Sequence, residues 1–463
     1  MRSATPRTTT LERTPGRRAD HGAAAVARSA LETVAAGRLA PLPVTLTFWD
    51  GSTLPAGDGP APEVLVRRPE AIAHLLHEPS QLGLARAWVT GALDLDGDLE
   101  AVLALRRRFD DAGLSVRDRV RLARAAVRVA GPGVLRRPPV PDAEARPRGR
   151  RRSLSRDRAS VRHHYDVSNR FYELLLGPSM VYSCAYFADP DEPLETAQER
   201  KLELICRKLR LRPGERFLDI GCGWGSLLLH AAARHGVRAV GVTLSEAQAR
   251  QARERIRRAG LAHRVEVRVA DYRELDEPPF DKIASVGMYE HVGRTELDRY
   301  ATRVRELLRP GGLFLNHGIA RLHSDPPAGD TFISRYVFPD GELHPVTDVM
   351  AAMPGVGLEV RDVESLREHY RLTLRRWAAN LAAHRDEAVA EVGEERERVW
   401  RLYLPGSALA FEDGDITVYQ VLAARDGAPH RLPLTRRGLL GDATARTAMR
   451  PREARSRPAH ERR

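Results

Sequence analysis

The sequence predicts an α/β fold, a mostly parallel sheet with helices on both faces, preceded by a small α+β unit. Three observations lead there. Residues 217–225, Phe-Leu-Asp-Ile-Gly-Cys-Gly-Trp-Gly, read as a buried strand running into a glycine-rich turn, with an apolar helix starting near Ser226. Downstream, strand-like and helix-like stretches alternate regularly, as crossover helices between parallel strands require. The chain has 463 residues, 42% of them hydrophobic, which is long enough for two or three domains and ample for a core.

Composition narrows the setting. Only three cysteines occur, Cys184, Cys206 and Cys222, without metal-ligand spacing, which suits a reduced cytoplasmic protein. No apolar run reaches the roughly eighteen residues of a spanning helix, and the Arg-containing N-terminus lacks a signal-peptide core, so neither a membrane span nor export is expected. The net charge of +12 is unevenly placed: +4 falls in residues 1–30, +6 in 131–160 and +7 in 431–463, leaving −5 for the rest. Those basic segments suit a polyanion, whether phospholipid headgroups or nucleic acid, or are simply solvated arginines.

In chain order, residues 1–30 are polar and aperiodic and are expected to be a disordered basic tail. Residues 43–48 alternate, with Val44, Leu46 and Phe48 on one face, and Asp50-Gly51-Ser52 turns the chain into a hairpin. A strand at 64–66, a helix at 69–76 and a mixed, Gly-rich section at 83–95 complete a small α+β domain over 31–110. Residues 111–159 hold a basic helix and a Pro/Arg-rich linker. In that helix Ser115 and Asp118 make a capping pair, and Gly131-Pro132 ends it. Val116, Val120, Ala123, Val127 and Ala130 form an apolar stripe among arginines, so the helix either lies on an anionic membrane surface or packs on a neighbouring domain.

The second domain spans 160–425. Its helices are expected at 194–210, 246–259 and 295–308, and its strands at 217–220, 237–242, 264–269, 282–287, 313–317 and 416–423. Helical patterns fill most of 346–405, and 426–463 is a second basic tail.

Ligands of an open α/β sheet lie beyond the carboxyl ends of the strands. Gly221, Gly223 and Gly225 permit a tight turn and close ligand approach, and the acidic strand end at Asp219 suits an ammonium group. Neither a GxGxxG phosphate loop nor a P-loop is present. After the later strands come Thr243, Leu244 and Gln248, then Asp271 and Tyr272, then Glu290 and His291, then His317. Ser245-x-x-Gln248 is also a capping box, which leaves Gln248 two roles. Cys184, Glu290, His317 and Tyr370 are too scattered for a metal centre, and no metal is expected.

The Asp-x-Gly-x-Gly-x-Gly loop resembles motif I of the class I S-adenosylmethionine-dependent methyltransferases. With His164-Tyr165-Asp166, Tyr182-Ser183-Cys184-Ala185-Tyr186-Phe187, Gly241-Val242-Thr243-Leu244-Ser245, Glu290-His291-Val292-Gly293 and Tyr336-Val337-Phe338-Pro339-Asp340-Gly341, the chain from about 163 to 421 resembles the cyclopropane-fatty-acyl-phospholipid synthase family, including the mycolic acid cyclopropane synthases. The resemblance implies a class I methyltransferase fold, Rossmann-like, with a mostly parallel seven-stranded sheet and a lipid-interacting N-terminal domain. It implies S-adenosylmethionine contacts from Tyr182, Ser183, Gly221, Gly223, Thr243, Leu244, Gln248 and Tyr272, beside Asp219 and Gly225 of the loop. It also implies a bicarbonate ion held by Cys184, Glu290, His317, Tyr370 and the Ile319 backbone, with Glu290 sharing a proton with the ion. One departure stands out: the family's His-Thr-Ile is His317-Gly318-Ile319 here.

The expected activity is transfer of a methylene group to the cis double bond of a phospholipid acyl chain. A methyl- or methylene-branching enzyme, or a non-catalytic lipid- or RNA-binding module on a degenerate fold, is the alternative. The expected partner is the phospholipid surface on the inner face of a membrane, reached from the cytoplasm; no nucleic acid is expected, and a homodimer is left open.

Overall fold

The computed structural model describes residues 22–33, 42–57, 61–104, 115–146, 149–150, 153, 156–157, 160, 164, 167–322 and 330–436. The expected basic tails over 1–21 and 437–463, and Tyr165 and Asp166 of the first motif, lie outside them.

The small N-terminal sheet has the order β2-β1-β3-β4, built from β1 (Thr45–Phe48), β2 (Thr53–Leu54), β3 (Glu63–Val66) and β4 (Leu93–Asp96). The expected hairpin is β1 and β2, paired antiparallel around Gly51 at φ +78°. Residues 23–30, expected within the featureless tail, form with 31–33 the helix Ala23–Thr33. The cause is tertiary: Asp50 Oδ2 accepts from Ala23 N at 2.9 Å and Ser52 Oγ from Ala24 N at 3.0 Å, so the hairpin turn caps the helix. The Gly-rich section is likewise the helix Gln81–Val89 followed by β4. A Cβ at Gly83 would lie 1.9 Å from Glu78 O, so glycine there permits close packing against the helix Glu70–His77.

The larger, seven-stranded sheet has the order β10-β11-β9-β8-β5-β6-β7, from β5 (Arg216–Ile220), β6 (Arg238–Thr243), β7 (Val265–Val269), β8 (Phe280–Val286), β9 (Leu308–Arg321), β10 (Leu358–Ser365) and β11 (Ile416–Arg425). Strands β5 to β9 pair in parallel, and β11 runs antiparallel to β9 and β10. The expected class I sheet is therefore present. Two readings change. Strand β10 falls inside the stretch expected to be helical, although Leu358, Val360 and Val363 pack an apolar side against the sheet. Residues 310–312, between the helix expected at 295–308 and the strand expected at 313–317, belong to β9, whose register against β8 jumps between Leu308 and Leu313.

The Pro/Arg-rich linker is tied down. Glu144 accepts from Arg86 Nε and Nη2, both at 2.8 Å, and from Tyr336 Oη at 3.1 Å, all buried. Arg156 donates to both carboxylate oxygens of Asp340. A second buried arginine, Arg398 on the helix Glu394–Glu412, joins the two units. It donates to Trp88 O at 2.5 Å and Leu93 O at 2.6 Å, stacks on the Trp88 ring, and accepts from Trp88 Nε1 through its own carbonyl at 2.9 Å. Arg398→Met should lower unfolding free energy by about 2 kcal/mol, because the Leu93 carbonyl loses its side-chain donor and the Trp88 carbonyl keeps only Gly91 N, while Asp94 keeps Arg67 and Arg401. A denaturant midpoint equal to that of the unaltered protein would contradict this role for Arg398.

Candidate active site

Two cavities meet beyond the carboxyl ends of β5, β6 and β8. The smaller is walled by the ends of these strands and of β7, and takes in Asp219, Gly221, Gly223, Thr243, Leu244, Gln248 and Tyr272, with Tyr182 and Ser183 across from them. Gly221 and Gly223 have φ of +82° and +52°, which non-glycine residues rarely adopt. A Cβ on Gly223 would meet only Gln248 Nε2, at 4.0 Å, so the loop backbone lies open to the cavity.

Gln248 lines this cavity and also takes part in the cap of the following helix, though its side chain does not close a capping box. Its backbone N donates to Ser245 Oγ at 3.1 Å, capping the helix Glu246–Arg258, while its side-chain Oε1 accepts from Thr243 Oγ1 at 2.9 Å. The amide nitrogen is the atom nearest Gly223.

Asp219 carries the strongest signal in this cavity. Its Oδ1 is buried and has no hydrogen-bond partner, and burial pushes its pKa up to about 7, against the pull of Lys201. An aliphatic ammonium would satisfy that oxygen, so the wall fits the amino-acid tail of S-adenosylmethionine. Lys201, buried beside it and lowered to about 8 by burial, donates to Ser183 Oγ at 2.7 Å. Sequence reading missed Lys201, which sits in an ordinary amphipathic helix, Leu194–Leu209, and gives no local signal.

Gly225 departs from expectation. It lines neither cavity, and a Cβ there would lie 3.2 Å from Ala252 Cβ, so its glycine serves helix packing and not ligand approach.

The larger cavity, about 2030 Å³, includes Glu290, His317, Ile319 and Tyr370 at one end and shares Tyr182 and Ser183 with the smaller one. Glu290 Oε1 accepts from Ile319 N at 2.7 Å, whereas Oε2 is buried without a partner. Burial raises the Glu290 pKa to about 7. His317 Nδ1 meets Gln420 Nε2 at 3.0 Å, which makes Nδ1 the acceptor and puts the ring proton on Nε2. That Nε2 is the second buried atom without a partner, and burial together with Lys201 and Lys208 holds the ring neutral. A carboxyl that is protonated up to about pH 7 and a neutral N–H donor fit a small oxyanion.

Two implied ion ligands are corrected here. The Cys184 thiol turns away from both cavities to the carbonyls of Ala185 and Leu366, at 3.2 and 3.6 Å, and full burial keeps it un-ionised. The Ile319 amide is occupied by Glu290, so it orients that carboxyl.

Gly318 has a structural counterpart. A Cβ there would fall 2.0 Å from Tyr289 Cε1, and Tyr289 Oη donates to Ile319 O at 2.6 Å. The Tyr289 ring thus occupies the space beside residue 318.

The sequence profile of the family described as mycolic acid cyclopropane synthetase matches residues 152–421. A probable fatty acid methyltransferase of Pseudomonas putida is 40% identical over 402 residues, covering 85% of this chain and 95% of its own length. The cyclopropane-fatty-acyl-phospholipid synthase of Escherichia coli K12 is 40% identical over 265 residues, 57% of this chain and 67% of its own. A mycolic acid cyclopropane synthase solved with SAH and CTAB superposes with a TM-score of 0.55 at 35% identity, over 58% of this chain and 98% of that one.

The raised Asp219 pKa gives cofactor binding a pH dependence. Only the carboxylate pairs with the ligand's ammonium, so a proton must leave before binding whenever the pH lies below about 7. Affinity for S-adenosylmethionine should fall about tenfold per pH unit below that value, and Asp219→Asn should flatten the profile and weaken binding at higher pH. A flat profile in the unaltered protein, measured by calorimetry, would remove Asp219 from the site.

Proposed function

Since the chain belongs to the mycolic acid cyclopropane synthetase family, S-adenosylmethionine-dependent enzymes that modify lipid acyl chains, we propose that it adds a methylene group across a cis double bond of a phospholipid acyl chain. The observation that carries this reading is the junction of the two cavities. One has loop glycines and an unpaired carboxylate suited to the cofactor. The other is long, mostly apolar, and reaches Glu290 and His317 from walls supplied by Phe48, Leu95 and Leu122 of the N-terminal unit.

When bound, S-adenosylmethionine would supply an electrophilic methyl carbon to the alkene π pair, its S–C electron pair staying on sulfur, and ring closure would then release one proton from that carbon. Tyr182 and Ser183 stand where the two reactants meet, which serves the alignment a weak alkene nucleophile needs. The apolar walls exclude water that would otherwise trap a cation. Glu290 Oε2 and His317 Nε2 would hold a bicarbonate ion, which supplies a weak base for the departing proton. Tyr370 stands at the same end of the cavity, packed on Phe411 and Trp377.

A second reading, a methyl-branching enzyme, is favoured by one observation: the Pseudomonas relative named a fatty acid methyltransferase covers the N-terminal unit as well as the catalytic one. The oxyanion site at Glu290 and His317 favours the ring-closing outcome, because a bicarbonate held there would accept the proton that leaves the transferred carbon. Among the described residues no helix is long and apolar enough to cross a membrane. We place the enzyme in the cytoplasm, acting peripherally at the inner membrane face.

Glu290→Gln preserves size but cannot exchange the proton. Cofactor affinity should be retained, ring formation should fall by about 10²-fold, and added bicarbonate should restore part of the rate. A variant that makes the same cyclopropane lipid at the unaltered rate in bicarbonate-depleted buffer would show that Glu290 is structural.

A further inference from the structure

The helix Val116–Ala130 has two working faces. Leu122, Ala125, Ala126 and Val129, at helical i, i+3, i+4, i+7 spacing, line the large cavity. No residue of this helix whose side chain is described is buried, although it touches the helices Ala23–Thr33 and Glu70–His77. The opposite face presents Val116 and Val120, 77% and 45% exposed, together with exposed Arg117, Arg124 and Arg128. Those three arginines have no acidic partner among the described residues, whereas Arg121 lies 4.0 Å from Asp118 of the capping box. The apolar stripe read from the sequence is thus divided: its N-terminal valines face outward, and other small apolar residues face the cavity.

We propose that this outer face docks the enzyme on an anionic phospholipid bilayer, so that one helix is both the membrane contact and a wall of the acyl cavity. The proposal rests on the reading of that cavity as an acyl site. Two exposed β-branched residues among unpaired guanidinium groups match an interface where headgroup phosphates meet acyl chains. Valines anchor weakly, so binding depends on charge and weakens with salt.

The test is co-sedimentation of the full chain with vesicles of phosphatidylglycerol and phosphatidylethanolamine, against vesicles of phosphatidylcholine alone. Arg117→Gln/Arg124→Gln/Arg128→Gln should weaken binding to the anionic vesicles by about fivefold per cation, on the order of a hundredfold together. Val116→Asp/Val120→Asp, equally exposed, should weaken it more than tenfold. Both variants should keep unaltered S-adenosylmethionine affinity and unaltered turnover of detergent-dispersed lipid, which shows that they are folded. Binding unchanged in either variant would assign the attraction to the basic tails and overturn the proposal. So would equal binding to phosphatidylcholine, or competition by single-stranded RNA that the valine variant leaves untouched. A protein that docks as predicted yet alters no acyl chain sinks the enzymatic reading alone.

Discussion

Three buried polar atoms with no partner among the described residues, Asp219 Oδ1, Glu290 Oε2 and His317 Nε2, are the constraint on which the site depends. Leaving such a group unsatisfied costs about 1–3 kcal/mol, more for a charge. Asp219 lies near the carboxyl end of β5, Glu290 in the turn after β8 and His317 in the second half of β9, and each lines one of two cavities that share Tyr182 and Ser183. Burial is also what tunes them: it raises both carboxyls to about 7 and keeps the imidazole neutral. The same desolvation that makes these groups costly to fold makes them receptive to an ammonium on one side and to an oxyanion on the other.

The N-terminal unit belongs to this arrangement because a cavity that excludes water needs a wall on every side. The catalytic sheet supplies the floor, and the small sheet with its helices supplies much of the rest. Buried arginines hold the wall in place. Arg398 is bonded to the Trp88 and Leu93 carbonyls, and Arg86 is paired in two hydrogen bonds with Glu144, which also meets Tyr336. The Tyr-x-Phe-Pro-Asp motif joins the two parts: Tyr336 and Asp340 fasten the linker through Glu144 and Arg156, while Phe338 and Asp340 also line the cavities.

Much of the catalytic fold was legible because its signals are local. An apolar strand, a glycine turn at Gly221 and Gly223, and a Ser245 cap each declare themselves within a few residues. What sequence reading missed depends on distant partners. The helix Ala23–Thr33 is capped by Asp50 and Ser52, and the linker is fixed by Arg86 and Arg156. Strand β10 needed β11 beside it to be told from a helix. Most of the cavity-lining residues named from the sequence were placed by strand ends and family resemblance together, whereas atom-level roles were not. The Cys184 thiol and the Gly225 turn serve packing, the Ile319 amide serves Glu290, and Tyr289 fills the space beside Gly318.

The central claim is that a proton leaves the transferred carbon at the Glu290 and His317 end of the cavity, so that the acyl chain closes to a ring. S-adenosylmethionine deuterated at its methyl group, supplied with vesicles of an unsaturated phospholipid, tests it by mass spectrometry and carbon NMR of the product. The account predicts an acyl chain that has gained a CD2 unit and lost its alkene signals, with a ring carbon at high field. A chain carrying an intact CD3 group would contradict it.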